Sequence, residues 1–135
     1  MANALLLLLA VSIAGSAPLA PPAPGDDWLR TELYFGRAIP ASAGGGEVTD
    51  EAWEAFVAEE ITPRFPDGLT VAPVAGQWRD AASGRVVRER TSVVVVYHPP
   101  GRDAGERVEA VRRAYQRRFA QDSVMRVTSR ARVAF

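Results

Sequence analysis

Arginine side chains are concentrated in a stretch where two strand-like segments meet. The segments LTVAPVAGQWRD and RVVRERTSVVVVYH are joined by DAASGR, and this order predicts a long β-hairpin. Guanidinium groups bind carboxylates and phosphates through paired hydrogen bonds, so the hairpin offers a patch for a small anionic ligand. The alternative, which the sequence favours, is a solvated ladder of ion pairs with Asp80 and Glu89. The residues of the candidate patch are Gln77, Trp78, Arg79, Arg88 and Arg90.

Three further side chains are candidates for chemistry. His98, the only histidine, ends a valine-rich strand, and its pKa near neutrality suits a general base. A plain surface position before two prolines is the alternative. Tyr34 and Arg37 lie at the end of the first predicted strand and complete the candidate site. One histidine among scattered carboxylates is not a metal-ligand set, so we predict no metal and no cofactor.

The glycine-rich stretch LYFGRAIPASAGGGEVTDEAW has the strand, loop and helix order of a phosphate site. It lacks the Lys and the Ser or Thr that follow the last glycine of a P-loop. Glu47, Asp50 and Glu51 crowd the helix start, where they would repel a phosphate. The stretch is therefore predicted to be a flexible connection.

The composition excludes several kinds of chemistry. The chain has 135 residues with 16 basic and 16 acidic side chains, every basic one being arginine, and it has no cysteine. Without lysine there is no Schiff base, and without cysteine there is no thiol nucleophile or disulfide. The balanced charge gives no reason to expect nucleic acid as a partner.

The chain is predicted to have three parts. Residues 1–17 form a signal peptide, because LLLLLAVSIAG is apolar but short and is followed by small residues. Residues 18–27 form a Pro/Ala-rich linker, and residues 28–135 form a single domain. We therefore expect export to the periplasm or medium, with no integral membrane segment after cleavage. An uncleaved N-terminal anchor is the alternative.

The domain is predicted to alternate strands and helices. Thr49 caps a first helix that Pro63 ends, and a second helix covers about residues 105–120. Pro73 places its strand at a sheet edge, and Gly76 is predicted to mark a bulge. The order of strand, helix, two strands, helix and strand predicts an α+β fold. This is the ferredoxin-like split βαβ arrangement, a four-stranded antiparallel sheet with two helices on one face.

The segment Val93–Val96 is apolar on both faces of its strand, which predicts a central position. If the helices cover one face, the valines of the other face need a second cover. A homodimer that stacks sheet on sheet would supply it, with any ligand site between the sheets.

Five blocks carry a resemblance to a known family: ELYFGR, EEITPRFPDGLTV, GQWRD, RERT and RRAYQRRFAQDSVMRV. Together they resemble a family of small exported bacterial proteins catalogued as a domain of unknown function. The resemblance runs from about Thr31 to Phe135 and implies no activity, ligand or catalytic residue. Many relatives look like lipoproteins with an anchoring cysteine, which this chain lacks.

Three classes of function follow from these observations. The first is a binding or accessory module of the bacterial envelope. The second is a small dimeric ferredoxin-like enzyme with a site between the sheet and its partner, and the third is a purely structural interaction protein. Convergence of His98, Tyr34 and Arg37 in one closed pocket would favour the enzyme.

Overall fold

Strands and helices alternate along the chain in the predicted order. The computed structural model describes residues 24–135, so the predicted signal peptide and the linker up to residue 23 lie outside the described residues. The strands are β1 (Asp26–Gly36), β2 (Thr70–Arg79), β3 (Val86–His98) and β4 (Met125–Val133), and the helices are α1 (Asp50–Phe56) and α2 (Arg102–Phe119).

The four strands form one antiparallel sheet in the order β2-β3-β1-β4. Strands β1 and β2 each pair antiparallel with β3, which lies between them, so β1 and β2 run parallel to each other. This is the split βαβ arrangement. The predicted ferredoxin-like fold is confirmed, as are the central position of β3 and the edge position of the strand that holds Pro73. Strand β1 begins at Asp26, inside the segment predicted to be linker.

A local signal defines the start of α1 but not that of α2. The Thr49 side chain accepts a hydrogen bond from the Ala52 backbone N–H at 3.2 Å, as expected of an N-cap. After α1 the chain continues as a π turn, Val57–Ile61, instead of the regular helix that the sequence predicts. The second helix begins at Arg102, three residues before the predicted start, and ends where Ala120 adopts a left-handed φ of 52°.

Both helices pack on one face of the sheet. Leu33 and Phe35 of β1 and Val94 and Val96 of β3 point to this face and are buried. An aromatic cluster completes the layer, and within it the rings of Phe35 and Tyr115 lie 4.8 Å apart. The helix residues of the core are Trp53, Phe56, Val108, Val111, Ala114 and Tyr115.

The opposite surface of the sheet, called the open face below, carries no helix. Side chains of the two central strands nevertheless shield one another there, because Val93 is only 7% exposed between Tyr34 of β1 and Ala72 of β2. The expectation that the valines of this face lie in water is therefore wrong for Val93. The exposed apolar side chains lie mostly on the edge strands and at strand ends.

Within residues 24–135, neither helix combines the length and the apolar content that a transmembrane span requires.

Candidate functional site

A groove of about 620 Å³ lies at one end of the open face. It forms where the β2–β3 hairpin extends past the end of β1, so that the hairpin, the loop after β1 and the loop before β4 enclose a space. We call this space the open-face groove. It is lined by Tyr34, Gly36, Ala38, Ile39, Pro40, Gly76, Trp78, Glu89, Thr91, Gln121, Asp122, Ser123 and Met125.

Two glycines form part of its floor. A Cβ atom at Gly36 would lie 2.9 Å from Oε1 of Glu89, and one at Gly76 would lie 2.7 Å from Oγ1 of Thr91. Gly76 pairs regularly with Glu89, so the predicted bulge is absent and the glycine serves close packing instead. Larger residues at either position would displace the side chains that line the groove.

Glu89 is the charged residue that β3 contributes to the groove, and Asp122 is the other charged residue of the lining. Oε2 of Glu89 accepts a hydrogen bond from the Ala38 backbone N–H at 3.2 Å, and the side chain is half-buried. Within residues 24–135 no arginine forms an ion pair with this carboxylate. A half-buried carboxylate without a cation favours a ligand that donates hydrogen bonds or carries positive charge.

Aromatic and thioether side chains form the walls of the groove. Trp78 is 46% exposed and Met125 is 54% exposed, so both present apolar surface to a ligand. The Tyr34 hydroxyl donates a hydrogen bond to Oε2 of Glu32 at 2.5 Å, and this bond raises the pKa of Tyr34 above its ordinary value. The groove therefore offers two π systems beside a carboxylate, the surroundings that suit a flat or cationic ligand.

The loop after β1 is the glycine-rich stretch of the sequence. It closes on itself through a bridge between Ala38 and Glu47 and a hydrogen bond from the Ile39 N–H to the Gly46 carbonyl at 2.9 Å. Gly44, Gly45 and Gly46 have φ values of 101°, 67° and 88°, which residues with a Cβ rarely adopt. The stretch is a hydrogen-bonded loop of which part lines the groove, and its flexibility stays a prediction.

Arg37, a predicted site residue, is instead buried in the domain. It is 3% exposed and donates to the Val48 carbonyl at 2.9 Å, to Ser92 Oγ at 3.0 Å and to Asp50 Oδ1 at 2.9 Å. Its guanidinium carbon also lies 5.5 Å from the centroid of the Trp53 ring. These contacts connect the start of α1 to the sheet. They also occupy the guanidinium N–H groups with which Arg37 would bind a ligand.

Four residues of the predicted hairpin patch do share one face. The register opposes Gln77 to Arg88 and places Arg79 and Arg90 on the same side, which is the side of the helices. Arg90 donates to Glu47 and Asp50 at 2.7 and 2.6 Å, while Arg79 and Arg88 pair with no carboxylate in the described part of the chain. The small anionic ligand inferred from this cluster stays a prediction.

His98 lies far from these residues in a buried position. It is 3% exposed, its Nδ1–H donates to the Pro99 carbonyl at 3.0 Å, and its Nε2 forms a hydrogen bond of 3.0 Å with the Thr31 hydroxyl. The Thr31 hydroxyl oxygen also lies 3.2 Å from Thr128 Oγ1. His98, Thr31 and Thr128 therefore form a chain of hydrogen bonds on the helix side of the sheet. His98, Tyr34 and Arg37 therefore do not converge in one pocket.

A family profile described as "Protein of unknown function (DUF3574)" matches residues 30–135. The match covers most of the chain and nearly all of the described residues. The chain belongs to the DUF3574 family. The family resemblance noted from the sequence blocks is thus confirmed, and no curated protein matches the chain significantly.

The DUF3574 chain also resembles two solved structures of phage SAM lyase. The apo structure aligns with a TM-score of 0.58 at 16% identity, covering 82% of this chain and 86% of that chain. The structure described as a complex with S-methyl-5'-thioadenosine aligns with a TM-score of 0.54 at 12% identity, covering 87% and 97%. At these identities the likeness concerns the fold alone.

Of the eight candidate residues, Tyr34 and Trp78 line the groove of this DUF3574 protein. Sequence reasoning missed Met125 and gave Glu89 a different role, as an ion-pair partner of the hairpin arginines. The weak signal for Glu89 was a glycine in each neighbouring strand, Gly36 and Gly76, which leaves room around a larger side chain. Within residues 24–135 no three potential ligands cluster as a metal site.

Proposed function

We propose that this protein is an exported ligand-binding module of the bacterial envelope and that the open-face groove is its binding site. Export rests on the sequence of residues 1–17, and cell fractionation with N-terminal sequencing of the purified protein tests it. A mature protein that begins near residue 18 in the periplasm or medium is the expected result. Recovery of Met1 in the cytosol would contradict it.

The observation that carries the binding site is the half-buried Glu89 carboxylate, which has a backbone N–H as partner but, among residues 24–135, no paired cation. A carboxylate held at a groove floor costs desolvation energy, and a bound cation or donor recovers it. The walls supply the apolar contact, since Trp78 and Tyr34 present rings beside the carboxylate. This combination favours a small ligand with a flat apolar part and a positive charge.

A sulfonium nucleoside is a suitable first probe. SAM has this chemistry, because its adenine ring is flat and its sulfonium is positively charged, and the fold resembles that of a phage SAM lyase. S-methyl-5'-thioadenosine keeps the adenosine but lacks both the sulfonium charge and the amino-acid part, so it measures what the adenosine contributes without them. We expect SAM to bind more tightly than the neutral thioether.

Calorimetric titration of four variants tests the site. Replacing Glu89 by Gln removes the charge at nearly equal volume, and the loss of a charge-assisted hydrogen bond of about 1.5–3 kcal/mol predicts about 10- to 100-fold weaker SAM binding. Trp78→Ala should weaken binding of both probes. The controls are Glu54→Gln on α1 and Trp28→Ala at the opposite end of the open face.

Unchanged SAM affinity in Glu89→Gln would refute the role of the carboxylate. If neither probe binds, mass spectrometry of ligands that co-purify from the native envelope decides between another cation and an empty site. Retention of an anionic compound that depends on Arg79 and Arg88 would instead favour the predicted hairpin patch.

A small enzyme is the second candidate function, and the paired Tyr34 and Glu32 side chains favour it. A phenol that donates to a carboxylate at 2.5 Å is an arrangement that can transfer a proton. Incubation with SAM followed by mass spectrometry separates the candidates. Cleavage of the bond between the sulfonium and Cγ gives S-methyl-5'-thioadenosine, and the amino-acid fragment leaves as its lactone when its own carboxylate displaces the thioether. Formation of both products that Tyr34→Phe abolishes would identify an enzyme, whereas SAM recovered unchanged favours the binding module.

A further inference from the structure

We propose that the open face of the sheet is the interface at which two copies of this chain stack. The proposal concerns the whole face and not only the groove, and its test reads molecular mass, so it stands independently of the proposed ligand. The homodimer predicted from the sequence rested on Val93 and Val95. The structure supplies different residues for it.

Exposed apolar side chains are unevenly divided between the two sheet surfaces. Among residues 24–135, five large apolar side chains of the strands are exposed on the open face, against two on the helix side, Val71 and Val86. Phe135 adds to the open face because its ring lies 5.9 Å from that of Trp28. The five are Val74 (41% exposed), Trp78 (46%), Tyr97 (45%), Met125 (54%) and Val127 (43%).

The charges of the open face favour a second copy over a partner of another kind. Arg30 and Glu32 lie side by side on central strand β1 and form an ion pair, so the middle of the face has both signs and little net charge. When two copies stack about a two-fold axis through the middle of the open face, the middle of one face contacts the middle of the other. Arg30, whose side chain is 40% exposed, can then reach Glu32 of the second copy as well as its own.

The area of the face is sufficient for such a contact. Four strands spaced about 4.8 Å apart, each about 10 residues long at about 3.3 Å per residue, present about 500–600 Å². Two copies would bury about 1,000–1,200 Å², which is just below the roughly 1,200–2,000 Å² of stable interfaces and within the range of weak, reversible ones. We therefore expect a dimer that dissociates at micromolar concentration.

Stacking would also change the open-face groove. Sheets that pack face to face lie about 10 Å apart, so the second copy would roof a groove that is open in the single chain. The groove walls at Trp78 and Met125 lie within the proposed interface.

Sedimentation equilibrium from 2 to 200 µM tests the interface with a matched pair of variants. Val127→Glu puts a charge on the open face, and Val71→Glu puts the same charge at a valine of nearly equal exposure, 40% against 43%, on the helix side. We expect the unaltered protein to reach twice the chain mass. Val127→Glu should raise the dissociation constant at least tenfold, and Val71→Glu should change it less than twofold.

Circular dichroism verifies that each variant is folded, and Met125→Glu replaces Val127→Glu if that variant is not. A monomer throughout the concentration range overturns the proposal, including the case in which the face binds a different protein. A dimer that both open-face variants leave intact overturns it too, because the copies would then meet elsewhere.

Discussion

Replacement of Arg37 by Ala should destabilise the domain strongly, because this arginine is a structural residue. Its guanidinium group donates to the Val48 carbonyl, to Ser92 Oγ and to Asp50 Oδ1, so it links the loop after β1, strand β3 and the start of α1. Truncation at Cβ removes all three hydrogen bonds together with the contact to the Trp53 ring.

The magnitude of the loss in stability follows from the polar groups that keep no partner once the Arg37 side chain is removed. Ser92 is 4% exposed, so its hydroxyl and the neighbouring Val48 carbonyl lose a partner that water does not readily replace, at about 1–3 kcal/mol each. The cation–π contact contributes about 1–2 kcal/mol. The ion pair with Asp50 adds little to this loss, because the Asp50 side chain is 61% exposed and solvent screens the pair. The expected loss is about 3–8 kcal/mol, a large part of the roughly 5–15 kcal/mol that stabilises a domain.

Urea unfolding followed by tryptophan fluorescence measures this loss. Arg88→Ala is the control, since the Arg88 side chain is exposed and forms no hydrogen bond or ion pair within residues 24–135, and it should change the free energy of unfolding by less than about 0.5 kcal/mol. If Arg37→Ala costs less than about 1 kcal/mol with an unchanged urea dependence, the buried hydrogen bonds do not stabilise the domain as argued. Arg37 would then return to the list of candidate ligand-binding residues.

Three further predictions concern the elements that hold the groove. Thr49→Ala removes the N-cap of α1 and should cost about 0.5–2 kcal/mol by urea unfolding, and restoration by Ser but not by Val would show that the hydroxyl is responsible. Gly76→Ala puts a Cβ 2.7 Å from Thr91 Oγ1 and should cost about 1–3 kcal/mol, so a melting temperature equal to that of the unaltered protein would disprove the close packing. Hydrogen bonds from Arg90 and Arg37 lower the pKa of Asp50 in the folded state. The stability that the Asp50 carboxylate contributes is therefore present above its unfolded pKa of about 3.9, and it is lost as the pH falls through the lower pKa of the folded state. Asp50→Asn should therefore flatten the decline of stability in this acid range, and an acid unfolding curve of unchanged shape would count against the effect.

Much of the fold could be read from local patterns. Thr49 before an amphipathic stretch predicts a helix start, Pro73 predicts an edge strand and the run Val93–Val96 predicts a central strand, and all three are confirmed. Each of these signals depends on the conformational preferences or the burial of neighbouring residues. Their order along the chain was sufficient to select the split βαβ arrangement.

The candidate site could be predicted only in part. Trp78 was predicted as part of the arginine-rich hairpin patch and Tyr34 by its place at the end of the first strand, and both line the groove. Arg37 and His98 were misleading, because arginine is rarely buried and a lone histidine before two prolines resembles a surface residue. Their buried hydrogen bonds join segments that are far apart in sequence.

The sequence by itself determined the alternation of strands and helices, the cap of α1, the placing of the strands in the sheet and the chemistry that a chain without lysine and cysteine cannot perform. These properties follow from short-range sterics, from hydrophobic periodicity and from the presence or absence of functional groups. Only the tertiary structure decided that Gly36 and Gly76 flank Glu89 and that Arg37 is enclosed. These arrangements depend on the register between strands, and a shift of one residue would move every side chain of a strand to the other face.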